Sequence, residues 1–139
     1  MKILLFFLIV PATCFSQENG DHKIILTVED TSNLYNRIKY AMVDNDFIVK
    51  DDGRKDSLST YPVELGSLPG LSRLFAKING HTIILSGIYG LQRIDDWGYN
   101  RNPKQFKPIV YYQGGKGKAW RLLLAVAEDI GWTSIAYSK

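Results

Sequence analysis

Any chemistry in this chain has to come from a short list of residues. The stretch 93–107, RIDDWGYNRNPKQFK, sets Trp97, Tyr99 and Phe106 among Arg93, Asp95, Asp96, Arg101, Lys104 and Lys107. Aromatic rings flanked by guanidinium and carboxylate groups suit a protein or glycan contact, because rings supply rigid apolar area while charges fix orientation. Long irregular segments are uncommon in compact domains and often bind something. The duller alternative is that Trp97 and Tyr99 fold back to cap the end of the core. A second stretch, Gly114-Gly115-Lys116-Gly117-Lys118, runs straight into an apolar segment. Glycines let backbone N–H groups approach an anion, a helix N-terminus adds positive potential, and Lys116 and Lys118 add charge. The spacing is not that of a P-loop, and no Ser or Thr follows Lys118 to reach a magnesium ion. A strand-to-helix turn with solvated lysines is therefore the favoured reading of it.

Catalytic machinery is harder to find. His22 and His81 are the two imidazoles and Cys14 the single thiol, and neither HExxH nor GxSxG occurs. Asp95 and Asp96 invite a reading as a carboxylate pair or a metal site, yet adjacent residues of an extended chain point to opposite sides. The acidic run 51–56, DDGRKD, lacks the alternating acids and closing glutamate of a calcium loop and reads as a solvated turn. No metal or cofactor is expected, and no residue is assigned as catalytic. The candidate ligand- or partner-binding residues are Arg93, Asp95, Asp96, Trp97, Tyr99, Arg101, Lys116 and Lys118.

Where the protein works is signalled by its start, MKILLFFLIVPATCFSQ. Lys2 supplies a charged n-region and residues 3–10 an apolar h-region, while Cys14 and Ser16 offer small residues for cleavage before Gln17. The chain thus divides into a signal peptide, 1–16, and one domain, 17–139. The apolar run falls short of the about 20 residues a membrane-spanning helix needs, so no transmembrane anchor is expected. Thr13 and Pro11 occupy positions where a lipobox has Gly or Ala and an aliphatic residue, which argues against a lipid anchor at Cys14. Cleavage leaves no cysteine, so the exported domain depends on its core alone, a habit that suits a periplasm or bacterial surface. Apolar content of 45% and aromatic content of 12% belong to a globular chain. A formal charge of +3, of which Lys2 contributes one, is too mild for a nucleic-acid partner.

The elements that must position these residues follow from periodicity. The run 74–91, LFAKINGHTIILSGIYGL, places two alternating segments around Asn79-Gly80, a hairpin signal that predicts a type I′ turn with Ile78 opposite His81 and Ala76 opposite Ile83. One face then carries Leu74, Ala76, Ile78, Ile83 and Leu85. The other carries Phe75, Lys77, Thr82, Ile84 and Ser86, a mixed face expected to be half wet. Gly87 and Gly90 suggest a bulge or sharp coiling. A polar lead over 17–22, with His22 in a mobile terminus, precedes a first strand over 23–29. Capping residues at 30–32 introduce a helix over 33–43, whose Leu34, Ile38 and Met42 form one stripe. Strands are expected over 47–50 and 58–65, the latter at an edge or bulged because of Pro62. After the irregular stretch come a strand over 109–112, an almost wholly apolar helix over 118–130 stopped by Gly131, and a strand over 132–137. Successive hairpins with only two helices predict an α+β domain, a mostly antiparallel twisted sheet with two helices packed on one face.

The Cys14-Phe15-Ser16-Gln17 ending resembles the "FSQ" and "FAQ" signal endings of small exported proteins of Bacteroidetes-type bacteria. Over 23–137 the element order is similar to that of uncharacterised envelope families with a TATA-binding-protein-like, helix-over-sheet fold. The resemblance implies export and a fold, and carries no site residues. The first functional reading is an exported binding domain, periplasmic or secreted, with its ligand surface on 93–107 and an envelope protein or glycan as partner. Its rivals are a cell-wall or glycan hydrolase working through two carboxylates, and a structural envelope domain without a small ligand.

Overall fold

The computed structural model describes residues 16–64, 70–91, 93–94, 100–101, 105–111 and 117–139. The expected signal peptide therefore lies outside the described residues apart from its last residue. The elements in chain order are β1 (Lys23–Thr27), α1 (Leu34–Asp44), β2 (Ser57–Ser59), β3 (Val63–Glu64), β4 (Leu71–Asn79), β5 (Thr82–Gly90), β6 (Arg93–Ile94), β7 (Asn100–Arg101), β8 (Lys107–Pro108), α2 (Lys118–Ile130) and β9 (Ser134–Ser138). Seven strands form one sheet along the path β2-β4-β5-β1-β9, with β3 beside β4 and β8 beside β5, and every pairing is antiparallel. Because β2 and β3 share one edge of β4, and β1 and β8 one edge of β5, the sheet is five strand columns wide. This is the α+β arrangement that the alternating apolar pattern predicts.

The β4–β5 ladder runs unbroken from Leu71 opposite Gly90 to Asn79 opposite Thr82. Ile78 pairs with Ile83 rather than with His81, so the two-residue loop is Gly80-His81. Gly80 has φ 58 while Asn79 and His81 stay at negative φ, the pattern of a type II′ turn, which needs a glycine at its first central position only. The loop has moved by one residue relative to the predicted I′ turn. Each partner sum shifts by two, and the two faces keep their membership. His81 explains the preference: its backbone oxygen accepts from the Val28 N–H at 2.9 Å, and its Nδ1 lies 2.9 Å from the Val28 oxygen, tying the turn to the end of β1.

Gly87 does not bulge the ladder; its role is packing. A Cβ there would lie 2.7 Å from Ile109 Cδ1 and 2.9 Å from Leu74 Cδ2, so the missing side chain is what admits those two. The Ile109 N–H also donates to the Gly87 oxygen at 2.9 Å.

One face of the sheet supplies Ile24, Leu26, Leu74, Ala76, Ile83 and Leu85 to the core, against Leu34, Ile38 and Met42 of α1 and Trp120, Leu123 and Val126 of α2. Both helices thus lie over this face. Near the C-terminal end of α2 they are clasped by polar groups. Arg37 donates to the Asp30 oxygen at 2.7 Å and to the Ile130 oxygen at 2.9 Å, and Asn45 Nδ2 donates to Asp129 at 2.7 Å. The Ile130 carbonyl is one of those a helix end leaves without an intrahelical donor. The Trp120 ring packs at a tilt between Tyr111 and Tyr137, with centroids 6.0 and 6.1 Å away.

Several segments depart from expectation. The strand expected over 47–50 is reduced to a bridge between Val49 and Thr60, flanked by backbone hydrogen bonds from Lys50 to Ser59 and from Tyr61 to Ile48. The strand expected over 58–65 is split into β2 and β3 around Pro62, where no N–H is available to the ladder. The strand expected over 109–112 pairs two residues earlier, as β8, and the lead over 17–22 is tied down, with the Tyr111 N–H donating to Asp21 and the Gly20 N–H to Tyr111. Asp30 does not cap α1. Its carboxylate instead accepts the Ser32 hydroxyl at 2.6 Å and the Ser32 N–H at 2.8 Å, while Asn33 stands at the helix start with φ 54. The Ser32 hydroxyl first, then the Ser32 N–H and the Arg37 charge, hold the Asp30 carboxyl below its ordinary value.

Two expectations can be measured. Gly87→Ala should destabilise the fold by about 1–3 kcal/mol in urea unfolding, the range for overpacking a full core. In a pH titration followed by NMR, Asp30 should ionise below the ordinary aspartate range, and Ser32→Ala should move that midpoint upward. Because the folded pKa is depressed, whatever Asp30 contributes to stability is present at neutral pH and lost as pH falls through the folded value.

Candidate functional site

The residues singled out from sequence fall unevenly in the structure. β6 and β7 form a two-stranded sheet that sets the backbone of Arg93 opposite that of Arg101. Asp95, Asp96, Trp97, Tyr99 and Lys116 lie outside the described residues. Lys118 is the first residue of α2 and exposed, and it does not line the groove described below. The stretch 93–107 leaves from the end of β5 and returns as β8, where Pro108 pairs with Ile88 and Lys107 with Tyr89. Of its side chains, Phe106 is 37% exposed.

Sequence reasoning treated the second face of the hairpin as merely half wet, and that face holds the concavity. The helices cover only the core side. On the other side lies an open groove of about 730 Å³ lined by residues that alternate with the core positions. Register arranges them in rows. Ser59, Phe75, Ser86 and Lys23 follow one another across β2, β4, β5 and β1, and the next row is Ser57, Lys77, Ile84 and Ile25. Arg73 precedes Phe75 on the same face and pairs with Ile88. The turn 51–56 stands at the edge, bringing Asp52, Arg54 and Asp56 to the rim. That turn is shaped by its own carboxylates, Asp51 accepting from the Gly53 N–H at 3.4 Å and Asp52 from the Arg54 N–H at 3.1 Å. It is fastened to β4 by the Ile78 N–H, which donates to the Asp56 oxygen at 2.7 Å.

Arg73 is the best-held charged group of this face. Its Nε donates to the Thr60 oxygen at 2.9 Å and its guanidinium carbon lies 4.9 Å from the centroid of the Phe75 ring. Thr60 is itself fully buried, its hydroxyl accepting the Leu74 N–H at 2.9 Å, so the carbonyl that holds Arg73 is fixed by the core. The guanidinium is thereby ordered before any ligand arrives. Among the described residues no side-chain carboxylate lies within ion-pair distance of Lys23, Arg54, Arg73 or Lys77, although the Lys23 ammonium donates to the Lys139 main-chain oxygen at 3.3 Å; away from the groove, Lys139 and Glu18 form an exposed ion pair at 3.7 Å. Four cations and two carboxylates around a floor of Phe75, Ile84 and serine hydroxyls can orient a polar, negatively charged ligand by charge and hydrogen bonds. The signal in the sequence was the alternation Arg73-Phe75-Lys77, interleaved with Leu74 and Ala76.

Among the described residues no group of three or more His, Cys, Asp or Glu side chains is placed to hold a metal ion. No helix among them is long and apolar enough to cross a membrane. The chain matches no model of a known protein family and no curated sequence. Lys77 is exposed and pairs across the ladder with Ser57 and Ile84, so its charge has no structural duty. Lys77→Gln should leave unfolding free energy within about 0.5 kcal/mol of the parent by urea denaturation.

Proposed function

We propose that this chain is an exported binding domain, periplasmic or secreted, whose ligand surface is the open face of the sheet, continued by the aromatic and basic stretch 93–107. The observation that carries the reading is one-sidedness. Two helices cover one sheet face, and the other holds a groove whose charged groups serve no described ion pair. A face retained only for stability would need neither an ordered Arg73 nor the Arg54 and Lys77 charges, which no side-chain carboxylate among the described residues pairs. The signal-like start and its "FSQ" ending support export. The partner class remains an envelope protein or glycan, since the surface mixes a ring, hydroxyls and both signs of charge.

Photocrosslinking in the full chain tests this directly. A benzophenone side chain would be placed singly at 77 on the open face, at 99 in the adjoining stretch, and at 40, where the tyrosine of α1 is 62% exposed on the helical side. The expected result in envelope preparations is adducts from positions 77 and 99 and none from 40. Adducts confined to 40, or equal at all three positions, would overturn the assignment of the surface.

A further inference from the structure

We infer that the groove on the open sheet face binds an acidic oligosaccharide, a sugar chain carrying carboxylate or sulfate groups, with Arg73 as its anchoring residue. The inference rests on the reading of that face as the ligand surface and names what the surface takes.

Arg73, Phe75 and Lys77 emerge on one face of β4 at intervals of about 7 Å, two residues of strand rise. Lys23 stands two strands across from Phe75, about 10 Å away, with Ser86 between them. Three cations therefore surround a centre made of an aromatic ring and a hydroxyl, and Arg54 adds a fourth from the rim. Cations gathered in this way, with no side-chain carboxylate of the described residues paired to them and only Lys23 engaged, by the Lys139 main-chain oxygen at 3.3 Å, raise the local positive potential and draw an anion.

Arg73 gives that attraction a direction. Its Nε is engaged by Thr60 and its plane by Phe75, and its terminal amino groups have no hydrogen-bond partner among the described residues. A fork held in place from behind loses little freedom when a carboxylate or sulfate accepts one N–H from each of its two terminal amino groups.

The remaining lining favours sugar over polypeptide. An extended peptide gains affinity by pairing its backbone with a strand. Here the backbone groups of β4 and β5 are committed to a nine-pair ladder and to their other neighbours, so the face offers side chains alone. Those side chains include the hydroxyls of Ser57, Ser59 and Ser86, which donate and accept, and the Asp52 and Asp56 carboxylates at the rim, which accept only. Such a set matches a ligand rich in hydroxyls with charges at intervals. The two carboxylates oppose a polyphosphate, which has no hydroxyls to donate to them.

Titration calorimetry on the full chain at low salt decides the matter with four defined probes: a galacturonate hexamer, a sulfated galactose hexamer, the methyl ester of the first, and a glutamate hexamer. The expected result is that at least one acidic sugar binds, while the ester and the glutamate hexamer bind about tenfold more weakly or worse. Arg73→Gln and Lys23→Gln should each weaken the acidic sugar by about tenfold, and added salt should weaken it further. Melting curves establish that each variant is folded; should Arg73→Gln unfold, Lys23→Gln and the exposed Lys77→Gln carry the test. Failure of both acidic sugars, equal binding of the ester, or indifference to every charge variant would overturn the inference. Equal binding of the glutamate hexamer would overturn it too, in favour of an acidic peptide. Each of these outcomes with crosslinking at 77 intact would leave the binding domain standing with another ligand; loss of both would remove it.

Discussion

The unbroken β4–β5 ladder sorts its residues strictly by alternation, and core, helices and loops are placed by that sorting. Nine consecutive pairs bring Leu74, Ala76, Ile83 and Leu85 to one face, and every one of them is buried. A row of that kind has to be covered, and among the described residues the elements with matching apolar stripes are α1 and α2. β1 extends the inner rows through Ile24 opposite Leu85 and Leu26 opposite Ile83. Even the loops answer to the ladder. The turn 51–56 is fastened by Ile78, the split strand bears on Thr60 and Leu74, and residues after β8 reach Gly87. A one-residue slip would turn the inner rows outward, so the face carrying Arg73 and Lys77 is fixed by the same bonds that fix the core.

The open face is thus a consequence of the core before it is anything else. Burial of one set of alternating residues leaves the other set displayed at fixed spacing, without any loop having to order it. Sites built on strands hold their geometry better than sites on loops. Arg73 illustrates the benefit, since the carbonyl it donates to belongs to Thr60, whose hydroxyl is in turn bound to the Leu74 N–H. Core packing is transmitted to the charged surface through two hydrogen bonds.

Much of this was legible in the sequence, and the misses have physical causes. The hairpin, both helices and the membership of each sheet face follow from periods of 2.0 and 3.6, which are carried by many residues at once. The bounds of α2 agree with the apolar run and its terminal glycine, whose N–H donates to Ala127 and Glu128 as a helix end requires. The turn type was misjudged because Asn-Gly favours I′ locally, whereas His81 is held by Val28, a partner far away in the chain. Gly87 looked like a bulge because only the fold reveals that Ile109 needs the space. Asp30 looked like a cap because composition does not say which backbone N–H a carboxylate will take. The groove itself was written in the mixed alternation of 73–77, but a pattern of exposed residues does not announce a concavity. The neighbours Lys23 and Ser59 arrive only through pairing.

The open sheet face and the ends of the stretch 93–107 meet at one row of paired residues. The stretch 93–107 begins just past β5 and ends where Pro108 pairs with Ile88, and Ile88 pairs in turn with Arg73. Arg73 therefore shares its row with Pro108, where that stretch ends, and lies next to the row of Phe75 on the groove floor. A ligand that reached from Lys77 past Arg73 would run along β4 and β5 toward residues 93–107 rather than away from them. Sequence alone offered the aromatic stretch and the half-wet hairpin face as separate features, one rich in chemistry and the other in structure. Pairing through Ile88 brings the end of that stretch, at Pro108, into line with Arg73. A single guanidinium, fixed by a carbonyl and a ring, then stands where an extended acidic ligand would have to pass.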